Sequence, residues 1–77
     1  MPPMIERISQ PAREQLSRVQ AEATAANGWL VIECIDTFLL AGDVVKCHAD
    51  AAEFTDDDGT YVVLPYPQIA TVEIGHD

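Results

Sequence analysis

Cys47 and His48 are neighbours in the chain, and a thiol activated by an imidazole is a nucleophile. Adjacent residues of a strand point to opposite faces, however, so these two side chains are not expected to meet. Cys34, Cys47, His48 and His76 are the nitrogen and sulfur ligands a zinc ion would choose. Their spacing contains neither a short Cys–Cys nor a short His–His step, and strand parity sets Cys34 inside and Cys47 outside. No metal site, disulfide or cofactor is therefore expected. Asp56-Asp57-Asp58-Gly59 resembles part of a calcium loop, but counting Gly59 as the turn glycine puts Phe54 and Pro65 where carboxylates must stand. That run reads as a solvated hairpin tip. Glu33 and Asp36 lack the shielded pocket that separates the pKa values of an acid–base pair. The chain is read as a non-enzyme.

One aromatic group remains. Tyr66 is clasped between Pro65 and Pro67, a rigid setting from which its ring would either stack on a nucleic-acid base or pack against a neighbouring subunit.

The elements that must position these groups are a helix and a set of strands. Residues 1–8 read as an arm in which Met4, Ile5 and Ile8 dock if a surface is offered. Ser9 or Gln10 is placed to cap a helix, with Pro11 in the first turn. Ala12, Leu16, Val19, Ala23 and Ala26 then recur at spacings of 4, 3, 4 and 3, one apolar stripe of a helix within residues 10–27. Glu14 and Arg18 face each other one turn apart, and Gly28 is expected to supply the left-handed residue that ends the helix. From Trp29 the composition turns to β. Strands are expected at 29–36, 38–50, 51–55, 60–64 and 69–74. Asp36-Thr37 makes the first turn and Gly59 takes positive φ in the third. Gly42 permits a bend or a close backbone approach inside the long second strand. Parity places Leu30, Ile32, Cys34, Phe38, Leu40, Val44, Val62, Leu64, Ile69, Val72 and Ile74 inside. Val31, Ile35, Val45 and Val63 fall on the opposite face, to meet the helix or another subunit.

The fold class is thus α+β and mostly β, one arm (1–8) and one domain (9–77). At 48% hydrophobic and 22% charged, the chain fits a globular class, and its size favours extra burial through assembly. The longest apolar-rich run, from Gly28 to Ala41, is broken by Glu33 and Asp36 and is too short to cross a membrane. With no recognisable secretion signal and few cysteines, a cytoplasmic location is expected.

The stretch IDTFLLAGDVV (Ile35 to Val45), a short turn and a strand with its glycine at Gly42, resembles the first motif of the Sm-like barrels. YVVLPYPQIATVEI (Tyr61 to Ile74) resembles their second motif, and the order and spacing are similar to bacterial Hfq. The resemblance implies five strongly bent antiparallel strands in a small barrel. It also implies a ring of six or seven copies in which the last strand of one subunit pairs with the fourth strand of the next. Tyr61, Val63, Ile69, Thr71 and Glu73 would lie at that seam. The family's RNA-contacting signature is not carried over: Pro65-Tyr66-Pro67 stands in its place, and His48 follows Gly42 where an acid is usual.

Charge bears on the choice of partner. The formal net charge is −9, and all of it arises after residue 28, where Lys46 is the only lysine or arginine. Phosphate backbones are repelled by such a surface, so any RNA affinity is confined to Arg13 and Arg18 with Tyr66. The alternative is an acidic interaction module that mimics nucleic-acid charge or docks a basic protein partner.

Overall fold

A computed structural model of the chain describes residues 5–9 and 11–76. Ala12, Leu16, Val19 and Ala23 line one side of helix α1 (Ala12–Ala25) and are all at most 3% exposed, as their spacing predicts, whereas Ala26 lies on the surface. Pro11, not Ser9, occupies the capping position, in extended conformation and with no side-chain cap. Gln10 lies outside the described residues. Asn27, at φ 56°, takes the left-handed conformation expected of Gly28. Gly28 serves closeness instead, since a Cβ there would collide with the carbonyl oxygen of Gly75.

Among the described residues, six strands follow the order β1-β6-β2-β3-β4-β5 in one antiparallel sheet. They are β1 (Ile5–Arg7), β2 (Trp29–Cys34), β3 (Leu39–Cys47), β4 (Ala51–Asp56), β5 (Tyr61–Pro65) and β6 (Ile69–Gly75). The sheet is open, which corrects the closed five-stranded barrel. The additional strand comes from the expected arm: Ile5, Glu6 and Arg7 pair with Glu73, Val72 and Thr71. Three side-chain contacts hold β1 to the helix. Gln15 Nε2 donates to Glu6 Oε1 at 3.1 Å and to the Arg7 carbonyl at 2.9 Å, and Arg18 reaches Glu6 Oε1 at 2.6 Å. Ile8 packs against the core, while Met4 lies outside the described residues. Arg18 spends its second contact on Glu22, at 2.8 Å, rather than on Glu14.

Close approach explains Gly42. A Cβ at this position would overlap the carbonyl oxygen of Thr55, its neighbour on β4. The pairing of β3 with β4 shifts register between Val44 and Lys46, and the helix supports this irregularity. The Val44 N–H donates to Gln20 Oε1 at 2.6 Å, and Gln20 Nε2 donates to Asp43 Oδ1 at 3.1 Å. Gly59, at φ 82°, closes the β4–β5 hairpin as expected. Asp56 Oδ1 accepts the backbone N–H groups of Asp58 and Thr60 there, both at 2.9 Å.

The core lies between α1 and one face of the sheet. Leu30, Ile32, Cys34, Leu40, Ile69 and Val72 are buried as parity predicts, and Val44, Val62, Leu64 and Ile74 pack at its margin. Phe38 is the exception at 49% exposed, because it sits in the hairpin turn after Thr37 (φ 71°) and parity does not run through a turn. Phe54, fully buried, takes the large aromatic role. Val45 and Val63 are exposed on the sheet, and Ile35 is exposed in the turn that follows β2.

Gly42→Ala must displace the Thr55 carbonyl from its ladder position. It is expected to lower stability by about 1–3 kcal/mol in urea melts, the range for overpacking.

Candidate functional site

Sheet order leaves β5 at an edge, hydrogen-bonded to β4 on one side and to no described strand on the other. Tyr61 and Val63 alternate along it at 69% and 57% exposed. Thr55 stands across from Tyr61 and Glu53 across from Val63, and Lys46 in turn faces Glu53. The hairpin acids Asp56, Asp57 and Asp58 lie directly before this strand, and their carboxylates cluster within 4.8 Å of one another. An unpaired apolar edge flanked by carboxylates can accept an added strand, and its charge selects what that strand carries.

The other proposed seam residues are differently placed. Ile69 is 4% exposed and pairs with Cys34, so it belongs to the subunit's own core. Thr71 and Glu73 have Glu33 and Val31 of β2 on one side and Arg7 and Ile5 of β1 on the other. Their edge is filled from within the chain.

Two of the three RNA candidates converge. Arg13 and Tyr66 share a shallow cavity of about 200 Å³ with Pro11, Ala12 and Ala49. Tyr66 does not project from a loop tip, however. It opens a single 3₁₀ turn (Tyr66–Gln68), is 9% exposed, and donates its hydroxyl to the His48 carbonyl at 2.6 Å. A ring so enclosed presents no face for base stacking. Burial pushes its phenol pKa up, and the neighbouring Cys47 adds to the rise. Arg18 stands apart from this cavity, committed to Glu6 and Glu22. Hydrogen bonds from Arg18 and then Gln15 hold the Glu6 carboxyl below its usual range.

The remaining polar groups take separate contacts. Cys47 Sγ lies 3.7 Å from Ser17 Oγ, whereas His48 Nε2 lies 3.6 Å from Glu53 Oε2. Cys34 is buried, and burial followed by the Asp36 charge raises its thiol pKa, the setting of an inert thiol. No helix among the described residues is long and apolar enough to cross a membrane.

Raised pKa values in the folded state give a sign to the alkaline response. Tyr66 and Cys34 contribute stability that is complete below their unfolded values, about 10 and 8.5, and is lost as pH rises through the higher folded values. Urea melts from pH 8 upward should therefore show falling stability. Tyr66→Phe should cost about 1 kcal/mol at neutral pH through the lost hydroxyl bond and should flatten the tyrosine part of the alkaline slope, leaving that of Cys34.

In comparisons with known proteins, no family model and no curated protein matches the chain.

Proposed function

We propose that the chain is an acidic protein-interaction module that receives a basic, extended segment of a partner protein along β5. The observation that carries this reading is the unpaired edge of β5, where exposed Tyr61 and Val63 lie beside Glu53 and the Asp56–Asp58 turn. Backbone hydrogen bonds to the edge supply affinity, and alternate side chains of the added strand supply specificity. Apolar residues of the partner cover Tyr61 and Val63 while its cations answer the carboxylates. RNA is a poor occupant: the net charge is −9, Tyr66 is enclosed and Arg18 is already paired.

The test is amide hydrogen exchange with a short peptide alternating lysine and valine, against a counterpart alternating glutamate and valine. The basic peptide should protect amides within Tyr61–Leu64, the acidic one should not, and Val63→Lys should weaken the basic peptide by about tenfold through lost apolar cover. Equal protection by both peptides, or none, sinks the reading.

A ring of like subunits is the second reading, and strand order favours it. With β1 set aside, β6 and β5 are the two outermost strands, the pair that the Sm-like resemblance would join between subunits. In this reading β1 is a plug on one of the two edges. Removing residues 1–7 should then raise the mass seen by light scattering to a closed species of about six subunits. A monomer both with and without those residues rules the ring out.

A further inference from the structure

At the end of the sheet where β4 turns into β5 lies a cavity of about 440 Å³ lined by Trp29, Ala41, Gly42, Asp43, Asp56 and Asp57. The register brings these residues together: Leu30 pairs with Gly42 and Gly42 with Asp56, so the start of β2 lies close to the turn of the β4–β5 hairpin. Half of the lining residues are apolar and half are acids. None of Arg7, Arg13, Arg18 and Lys46 is among them. The arrangement is held in place. Gln20 Nε2 binds Asp43 Oδ1, and the N–H groups of Asp58 and Thr60 bind Asp56 Oδ1. The indole is seated against Gly75, where a Cβ would come within 2.7 Å of Nε1.

We propose that this cavity takes the guanidinium side chain of an arginine carried by the partner protein. A bare metal ion finds few ligands where half of the lining is apolar, and an anion is repelled by three carboxylates. A guanidinium suits both halves, because it is weakly hydrated, stacks on aromatic rings and bonds carboxylates in pairs. Asp56 and Asp57 belong to the turn that leads into β5, so the cavity adjoins one end of the strand that would receive the partner. The proposal rests on the strand-addition reading for the source of the arginine.

Trp29 is the only tryptophan, so its emission reports the cavity in the full chain. Titration with N-acetyl-arginine amide at constant ionic strength should give a saturable change. The neutral isostere N-acetyl-citrulline amide should bind about tenfold more weakly, and Asp43→Asn with Asp57→Asn should weaken the arginine compound by about tenfold. Asp57→Asn alone, at an exposed turn position, should show part of that loss with an unchanged urea midpoint. No saturable change with arginine overturns the proposal, as does an equal response to citrulline or full binding by the asparagine variants. The two readings separate cleanly. A basic peptide that protects β5 while free arginine leaves Trp29 unmoved rejects the cavity and keeps the edge. Arginine binding with no protection of β5 rejects the protein strand as its source.

Discussion

The apolar stripe of α1 has one surface on which to be buried, and most of the structure follows from that constraint. Leu16 and Val19 meet Leu30, Ile32, Phe54 and Val72, all at most 2% exposed, in a single cluster. Each such large side chain contributes about 1.5–3 kcal/mol by leaving water, so a handful of them outweighs any surface ion pair in the molecule. With the helix seated this way, its glutamines reach past the stripe to backbone that lacks regular partners. Gln15 ties down β1, and Gln20 serves β3 beside its register shift. Both ties are polar side chain to main chain, the kind of bond that fixes orientation more than it adds stability.

Because the helix covers one face of the sheet, the other face and the β5 edge are left open. Apart from Lys46 on β3, the cations lie elsewhere. Arg13 and Arg18 stand on the helix and Arg7 on β1, while the acids of the hairpin turn stand beside β5. In the strand-addition proposal, electrostatic attraction on this surface sets which partners approach and how quickly, and apolar contact with Tyr61 and Val63 sets how long they remain. Salt should act mainly on the first of these.

Features that depend on near neighbours were legible in the sequence. The 4-3-4 spacing of Ala12, Leu16, Val19 and Ala23 needs only the helical period, and Gly59 needs only its turn. Gly42 was readable as a place of close approach, although its partner, the Thr55 carbonyl, was not. The misread features have partners far away along the chain. β1 is three residues long, too short for any periodicity, and its complement is β6 at the other end. Arg18 has an acid one turn before it and another one turn after, and the choice of Glu22 with Glu6 follows from where β1 lies. Tyr66 looked like a presented aromatic because two prolines flank it. Its burial depends on the His48 carbonyl, 18 residues away, which accepts its hydroxyl. Phe38 was misplaced because parity was counted through a turn with positive φ at Thr37, and Phe54, buried here, was not among the expected core residues.

The pairing of β1 with β6 also sets an order of events during synthesis. Ile5 and its partner Glu73 are more than 60 residues apart, so β1 has no partner until β6 has been made. Until β6 emerges, the hairpins from β2 to β5 can form through nearby contacts, while the inner strand β2 lacks its neighbour on one side. Contacts this distant in sequence are the slow ones to form. In the finished fold β1 seals the outer edge of β6, so a folding chain is most adhesive in the interval before β6 has paired with both β2 and β1, and dilution or a chaperone would matter most then.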